Sequence, residues 1–556
     1  MKTKNLIVTT GLAIATLCLA LPNNAMAQKT FTLEDLTFGG NNFQNLRADH
    51  RYTTWGGDQV VQLENNNCSI VNPNTLKETT LFTLDDINAI LSKDNSDRTV
   101  RSLFHVSFPS ANQPLVQIPT RKELLTINFK TKKIESSTET VADAQAQAYN
   151  KESRAIAYVQ NNQLFVTDNT GKTTQLTNDG SRNIVYGEAV HRNEFGIKGG
   201  LVWSPAGNRL AFYRMDQSMV TDYPLVHIPE VDWKPAKGES RIATPEPTKY
   251  PMAGEKIHNV TVGVYDINTK KTIYLDAGDP TDRYFTNIQW SPDSKIIYMF
   301  ELNRDQNDCR LVSYNAETGK RIAELYRETD AKYVEPTHPI LFLPWNANQF
   351  IMLSQKDGYN HIYLFNKDGK QIKQITKGNW VVMDVLGFNS KAKSIVYVSN
   401  ECSPIQRNTW SVNVENGIRT LLDNGRGYHN ATLSDGGKYL VDNYTEPTVP
   451  RKIDITTIGT HPTIKNWLTA KDPWSGFNLP EYSSGSLKAD DGTTDLYWRM
   501  VKPIGFDPSK KYPTVIYVYG GPHAHNVDAS WHYGSRSWET YMAQKGYLLF
   551  IIDNRG

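Results

Sequence analysis

Residues 202–213 read VWSPAGNRLAFY, in which strand-like residues flank a polar turn that contains Pro and Gly. The phrase returns as QWSPDSKIIYMF at residues 289–300, and in looser form at residues 388–397 and 433–440. Apolar and aromatic runs on both sides of a short polar turn predict a β-hairpin. The chain therefore repeats one hairpin at least four times.

A second hairpin phrase alternates with the first. It joins a strand-like run to a turn rich in Asp, Asn and Lys, and it occurs at residues 163–172, 262–270 and 362–370. Two hairpins make a four-stranded blade, and blades at a roughly fixed period make a β-propeller. We predict a propeller of about seven or eight blades over residues 46–460. A string of β-sandwiches is the alternative, and the repeated Trp-Ser-Pro phrase favours the propeller. Any helix at residues 83–91 is expected to be local decoration.

The pattern changes after residue 460. Residues 461–485 are rich in turn formers and predict a linker. Residues 486–556 then predict strands, a helix at 537–545 that stops before Gly546, and an apolar strand at 547–553. A strand, a helix and a strand in that order begin an α/β sheet. Since the chain ends there, we expect residues 548–552 to form an exposed apolar edge.

The composition excludes some classes of function. The net charge is +2, so nothing points to nucleic acid or to an anionic surface. Residues 1–27 combine early lysines, an apolar run and a small-residue site ending at Ala27, which predicts a cleaved signal peptide and a periplasmic or secreted protein. No membrane association is expected once the signal is removed. Cys68, Cys309 and Cys402 lack metal-ligand spacing, and most are expected to be buried thiols.

Residues 511–523, KYPTVIYVYGGPH, form a strand that stops at a breaker cluster. With the lead-in FDPSKKYP at 506–513, this stretch resembles the start of the α/β-hydrolase domain in the dipeptidyl peptidase IV family of serine peptidases. The resemblance implies that the Tyr519 hydroxyl contributes to an oxyanion hole, where a fixed O–H donor stabilises charge developing on the substrate oxygen. It also implies that residues 28–45 pack near the hydrolase domain.

The family's nucleophile lies in a Gly-x-Ser-x-Gly elbow, which does not occur in residues 1–556. The resemblance therefore implies that the chain stops inside its catalytic domain and that the Ser, Asp and His lie beyond Gly556. An oxyanion donor without a nucleophile performs no acyl transfer, so the residues given are expected to be inactive alone.

Residues 184–197, IVYGEAVHRNEFGI, carry the second part of the resemblance. Family members have a Glu-Glu pair here that binds the free α-amino group of a peptide, and a carboxylate beside an ammonium favours its charged form. This sequence has Asn193-Glu194 in that place, which leaves one acid. Glu194 is the predicted substrate-binding residue, and Glu188 is a weaker second candidate.

The single-Glu form resembles the bacterial prolyl tripeptidyl peptidases of the same family, and the resemblance continues through residues 212–220, 250–254 and 357–362. It implies an exopeptidase that releases Xaa-Xaa-Pro tripeptides, acts on peptides with a free N-terminus, needs no cofactor, and forms a homodimer when full length. Two alternatives stay open. One is release of Xaa-Pro dipeptides with help from Glu188, and the other is a non-catalytic peptide-binding propeller.

Overall fold

The structure is a computed structural model that describes residues 29–93, 98–110, 112–229 and 241–555. The chain divides into two compact units. We call the described residues of Ala48–Lys471 and His525–Gly534 the propeller unit, and the described residues of Met1–Arg47, Asp472–Ala524 and Ser535–Gly556 the sheet unit. The predicted signal peptide lies outside the described residues. Among those residues, no helix has both the length and the hydropathy that crossing a membrane requires.

The described residues of the propeller unit form eight blade-like antiparallel sheets that follow one another along the chain, so the predicted all-β propeller is confirmed. Blades 1 and 2 contain β1 (Tyr52–Gly56), β2 (Gln59–Leu63), β3 (Asn67–Val71), β4 (Glu78–Thr83), then β5 (Leu115–Pro119), β6 (Glu123–Asn128) and β7 (Lys133–Glu139). Blades 3 and 4 contain β8 (Ala146–Tyr149), β9 (Ile156–Gln160), β10 (Gln163–Thr167), β11 (Thr173–Gln175), then β12 (Ile184–Tyr186), β13 (Leu201–Trp203), β14 (Arg209–Asp216), β19 (Asn259–Asp266) and β20 (Lys271–Tyr274).

The next four blades are regular four-stranded sheets. Blades 5 and 6 contain β21 (Arg283–Trp290), β22 (Ile296–Asn303), β23 (Asp308–Asn315), β24 (Arg321–Thr329), then β25 (Leu341–Leu343), β26 (Asn346–Ser354), β27 (His361–Asn366) and β28 (Gln371–Gln374). Blades 7 and 8 contain β29 (Val382–Asn389), β30 (Ser394–Ser399), β31 (Asn408–Asn413), β32 (Arg419–Leu421), then β33 (Tyr428–Leu433), β34 (Tyr439–Glu446), β35 (Val449–Thr457) and β36 (Thr463–Thr469).

Blade 4 carries an insertion between β14 and β19. We call residues 221–250 the arm; its described part pairs β15 (Asp222–Tyr223) with β18 (Thr248–Lys249) and β16 (Val226–His227) with β17 (Thr244–Pro245).

The repeated Trp-Ser-Pro phrase has a physical reason. The indole N–H of Trp203 donates to the Ala148 carbonyl of blade 3 at 2.9 Å, and that of Trp290 donates to the Val202 carbonyl of blade 4 at 3.0 Å. Each Trp thus links its own blade to the one before it. The following Ser closes the turn, since Ser291 Oγ accepts the backbone N–H of Ile296 at 2.9 Å. The phrase encodes both the hairpin and its contact with the neighbouring blade.

The first and last blades close the ring of the propeller unit. Ser434 Oγ donates to Asp58 Oδ1 at 2.7 Å, across 376 residues of sequence. The two blades also share an apolar cluster that contains the buried side chains Val60, Val71, Val441, Ile453, Ile455 and Trp467. Since each of the two blades is built from its own consecutive strands, side-chain packing and hydrogen bonds close the ring.

The helix expected only as decoration is better defined than the sequence suggested. α1 (Leu84–Ser92) begins with a capping box, in which Thr83 Oγ1 accepts from Asp86 N and Asp86 Oδ2 accepts from Thr83 N. A reciprocal cap of this kind satisfies two backbone donors at a helix start. Ile87, Ile90 and Leu91 pack into the core shared by blades 1 and 2.

The sheet unit has the predicted strand, helix and strand at its centre. Its elements are β37 (Glu481–Lys488), β38 (Asp495–Lys502), β39 (Thr514–Tyr517), α2 (Ser537–Gln544) and β40 (Leu548–Ile552). The strand order is β37-β38-β40-β39, and β40 is parallel to β39 and antiparallel to β38. The expectation that residues 548–552 form an exposed edge was wrong, because β40 lies between two strands. Within the described sheet β39 is an edge, and Ile516 is 67% exposed there.

The predicted linker, residues 461–485, contains structure. Its first half holds β36, which completes blade 8, and its last residues begin β37, so the irregular segment is confined to residues 470–480. Within the sheet unit, Phe31 stacks on Phe477 with ring centroids 4.0 Å apart, and its N–H donates to Gln544 Oε1 of α2 at 2.9 Å.

One short stretch of residues 486–556 belongs to the propeller unit. The Ala529 N–H donates to the Ile405 carbonyl at 2.7 Å, and the His532 N–H donates to the Pro447 carbonyl at 3.0 Å. The sequence did not predict that residues 525–534 belong to the propeller unit. These residues carry no hairpin phrase, so nothing local in the sequence indicates their hydrogen bonds to blades 7 and 8.

Candidate functional site

Glu194 lies on a strained segment of blade 4. We call His191–Gly196, a short 3₁₀ turn between β12 and β13, the Glu194 segment. Arg192, Asn193 and Phe195 have φ values of 60°, 65° and 58°, in the left-handed region that non-glycine residues rarely occupy. Residues held this way cost about 1–3 kcal/mol each and persist only where the surroundings fix them, often at ligand sites. Glu194 itself has an extended conformation between them and is exposed.

Buried aromatic contacts hold the Glu194 segment from below. The His191 and Phe195 rings lie 5.0 Å and 5.3 Å from the Tyr284 ring of blade 5. At Gly196 (φ 71°), a Cβ atom would lie 2.1 Å from the Thr337 carbonyl oxygen, so only glycine fits there. The segment is therefore fixed between blades 4 and 5 and the residues that lead into blade 6.

The histidines around this segment are neutral. Burial, with a smaller effect from His258, lowers the pKa of His191 to about 3. Burial, together with the charges of Arg192 and Arg304, lowers the pKa of His258 to about 4. In the described part of the chain, no ion pair involves the Glu194 carboxylate, and it remains available to an external cation.

Glu188 occupies a different setting, just after β12. It is half-buried, and burial raises its pKa above the ordinary value. Gln145 Nε2 of blade 3 donates to Glu188 Oε1 at 3.4 Å. Whereas Glu194 is exposed on a strained turn, Glu188 is a half-buried acid hydrogen-bonded to the neighbouring blade.

A cavity of about 590 Å³ lies beside the Glu194 segment, inside the propeller unit. It is lined by residues of blades 4, 5 and 7 and by the residues that lead into blade 6, among them Lys198, Tyr213, Asn287, Thr337, His338 and Asp384. The His338 Nε2 and Asp384 Oδ1 atoms are 3.9 Å apart. Burial lowers the pKa of His338, although the charge of Asp384 opposes the shift. Lys198 and Asp384 give the cavity groups of opposite charge, and the exposed Glu194 carboxylate lies on the segment beside it.

Tyr519 lies two residues beyond the end of β39 in the sheet unit and is 66% exposed. Its ring lies over Gly521, where a Cβ atom would come within 2.6 Å of Tyr519 Cε1. Asn554 Nδ2 donates to the Gly521 carbonyl at 3.3 Å, which joins the turn after β39 to the residues after β40. The turn that carries Tyr519 thus contacts the residues that follow β40.

Only one group with metal-binding geometry occurs among the described residues: Asp423, His429 and Asp442. Both ring nitrogens of His429 have partners, since Nδ1 is 2.6 Å from Asp442 Oδ2 and Nε2 is 2.6 Å from the Arg426 carbonyl. We assign this group as a buried charge cluster. His523 and His525, which form a His-x-His pattern, are not part of any such group.

Residues 103–451, which span most of the propeller unit, match the family model described as the dipeptidyl peptidase IV N-terminal region. The chain belongs to the dipeptidyl peptidase IV family. The predicted resemblance is therefore confirmed at the level of the family.

Several relatives resemble the chain beyond that model. A structure from Bacteroides ovatus, provisionally assigned as a dipeptidyl aminopeptidase IV, has 42% identity and a TM-score of 0.86, and the match covers 95% of this chain and 75% of the other. Dipeptidyl peptidase 4 of Porphyromonas gingivalis has 22% identity and a TM-score of 0.77 over 95% and 74%, and this match shows the fold alone.

Curated fungal relatives match at lower identity. Probable dipeptidyl-aminopeptidase B of Talaromyces marneffei is 27% identical over 74% of this chain and 48% of its own length. Dipeptidyl peptidase 4 of Trichophyton rubrum is 28% identical over 74% and 54%. The chain therefore spans about half the length of the curated relatives it matches.

Proposed function

We propose that the protein is an exported serine exopeptidase that removes N-terminal Xaa-Xaa-Pro tripeptides from peptides. The observation that carries the proposal is the exposed Glu194 carboxylate, held by a strained segment beside a large cavity of the propeller unit. Backbone strain of this kind is concentrated at ligand-binding sites. A single carboxylate can pair with one α-ammonium group.

In this proposal, Glu194 binds the free N-terminus of the peptide. An α-ammonium group has a pKa of about 7.7–8.0, and a neighbouring carboxylate keeps it charged near neutral pH. The buried, neutral histidines around the segment add no competing positive charge. Because Glu194 is fixed in place, it acts as a ruler that selects how many residues precede the cleaved bond.

Tyr519 has the second role. Its hydroxyl donates a hydrogen bond to the oxygen that becomes negative when the peptide carbonyl turns tetrahedral. The Ser, His and Asp of a serine peptidase supply the nucleophile, its base and the residue that orients the base. The matched curated relatives are longer than this chain, and we propose that these three residues belong to the part of such a protein that this chain does not cover.

Dipeptide release is the second candidate, because the matched relatives are named as dipeptidyl peptidases. It would use Glu188 with Glu194, but the two carboxylates lie in different settings. We propose that peptides with a free N-terminus are the substrates, that the full-length protein forms a homodimer, and that it is periplasmic or secreted.

Product analysis tests the proposal directly. The product of the complete reading frame is incubated with Ala-Ala-Pro-Ala-Phe and with its N-acetylated form, and the fragments are identified by mass spectrometry. We expect Ala-Ala-Pro from the free peptide and no cleavage of the acetylated one. Equal cleavage of both peptides would refute the role of Glu194, and cleavage of neither would favour a peptide-binding propeller.

A further inference from the structure

A second contact of the Glu194 segment lies on its exposed side. The Arg192 guanidinium lies over the Tyr250 ring, with its central carbon 5.0 Å from the ring centroid. Arg192 is two residues before Glu194, and both side chains are exposed. A cation over an aromatic face is held by the ring quadrupole, and Arg forms this contact more often than Lys.

Tyr250 is itself firmly placed, because it ends the base of the arm. Its N–H donates to the Thr221 carbonyl at 3.1 Å, which closes the arm at its base. Next to it, Lys249 Nζ donates to the Val220 carbonyl at 2.8 Å and is 3.6 Å from Asp222 Oδ1.

An ion pair also ties the arm to blade 4. Arg182 Nη2 donates to Asp222 Oδ1 at 2.5 Å and to the Pro247 carbonyl at 2.8 Å, so one guanidinium connects both sides of the arm to the residues before β12. These contacts hold the backbone at Tyr250 in place, so its ring can fix the position of the Arg192 side chain.

We propose that Tyr250 is a positioning residue for Glu194. It acts through Arg192 in two ways. It helps to hold the left-handed backbone at Arg192 and Asn193, which has a free-energy cost without outside contacts. It also keeps the guanidinium away from Glu194. A released Arg192 would be free to pair with the carboxylate two residues away, since Arg and carboxylate form strong charge-assisted hydrogen bonds. Such a pair would compete with the substrate's ammonium group.

Kinetics of the complete reading-frame product test this role. This inference rests on the function proposed above for Glu194. The test substrate is therefore Ala-Ala-Pro-p-nitroanilide, whose free amine is the group that Glu194 would bind. Tyr250→Ala should raise KM about five- to tenfold and leave kcat within twofold. Tyr250→Phe keeps the ring and should stay within twofold of the parent in both constants. An unchanged KM in Tyr250→Ala would overturn the inference.

A double variant separates competition from simple loss of structure. If a released Arg192 pairs with Glu194, adding Arg192→Gln to Tyr250→Ala should lower KM most of the way back to the parent value, although the double variant lacks one more native side chain. A double variant as weak as Tyr250→Ala, or weaker, would overturn the competition between Arg192 and substrate. Thermal unfolding of each variant checks that folding is retained, and calorimetric binding of Ala-Ala-Pro gives a second readout that requires no chemistry.

Glu194→Gln distinguishes failure of this inference from failure of the proposed function. If Glu194→Gln leaves KM unchanged, the ammonium-binding role fails whatever Tyr250 does. If Glu194→Gln raises KM and Tyr250→Ala does not, only the positioning role fails.

Discussion

The His429 imidazole of blade 8 is fully buried and lies 2.6 Å from Asp442 Oδ2. Its other nitrogen donates to the Arg426 carbonyl, and Asp423 approaches Nδ1 at 3.9 Å. Burial alone would lower the pKa of His429, but the hydrogen bond and charge of Asp442 and the charge of Asp423 raise it to about 9. Burial also raises the pKa of Asp442. However, two carboxylates face Nδ1, and the Arg426 carbonyl can only accept a hydrogen bond from a protonated Nε2. We therefore place protons on both ring nitrogens of His429.

This pair predicts a loss of stability at alkaline pH. A group whose folded pKa is raised contributes stability fully below its unfolded pKa, about 6.5 for His, and loses it as the pH rises through the folded value. The free energy of unfolding should therefore fall between pH 7 and pH 10, by roughly 2–4 kcal/mol from this group. Urea unfolding across this range measures it.

His429→Gln is the matched variant for that prediction. It should be less stable at pH 7 and lose less stability from pH 7 to pH 10 than the parent. A parallel pH dependence in both proteins would show that His429 is not the titrating group. Added chelator should leave the unfolding temperature unchanged, since we assign no metal to this cluster.

The hydrogen bond from Trp290 to Val202 predicts a cost for shortening the indole. Trp290 is buried, and Trp290→Phe removes the donor and part of the packing between blades 4 and 5. We expect a loss of about 1–3 kcal/mol in the free energy of unfolding. The same change at the half-buried Trp203 should cost less, and an equal or larger cost there would contradict this reason.

A buried ion pair ties α2 to β38 in the sheet unit. Arg499 and Glu539 form two parallel hydrogen bonds of 3.0 Å and 2.7 Å, with both side chains almost fully buried. Arg499→Met leaves the Glu539 charge with less compensation and should cost about 3–5 kcal/mol in the free energy of unfolding. The double variant Arg499→Met/Glu539→Leu should recover much of that loss in urea unfolding. A double variant less stable than the single one would mean that packing, not charge, dominates.

The contact of Tyr519 with Gly521 predicts an effect on the chemical step. Gly521→Ala places a methyl group against the Tyr519 ring and should displace it. If Tyr519 donates to the oxyanion, Gly521→Ala and Tyr519→Phe should each lower kcat of the complete reading-frame product by about 10- to 1000-fold with little change in KM. Gly505→Ala, at a turn glycine with open space around it and a φ of 68°, strains a loop without touching Tyr519 and is the control for general loop damage. A normal kcat in Tyr519→Phe would remove Tyr519 from the mechanism.

The propeller could be predicted because its signal is local. Trp203 and Trp290 recur with the same turn chemistry, and each makes the same bond to the preceding blade. Blades 1 and 2 carry neither phrase, so the sequence alone does not give the number of blades. The place of β40 inside its sheet depends on the crossover through α2, which residue order alone does not give.

The candidate site could be predicted only in part. The residues next to Glu194 and Tyr519 in the sequence identify both of them, whereas the side chains that support Glu194 come from distant parts of the chain. Tyr250 is 58 residues after Arg192 along the chain. No periodicity connects them, and the strained backbone at Arg192 gives no sequence signal because neither Gly nor a turn motif marks it.

The most direct test of the account compares the parent and Glu194→Gln on Ala-Ala-Pro- and Gly-Pro-p-nitroanilide, with the product of the complete reading frame. We predict a higher kcat/KM for the tripeptide substrate, and a KM for it that rises at least tenfold in Glu194→Gln, while Glu188→Gln changes it less than threefold. Preference for the dipeptide substrate, with Glu188→Gln as damaging as Glu194→Gln, would contradict the single-carboxylate ruler.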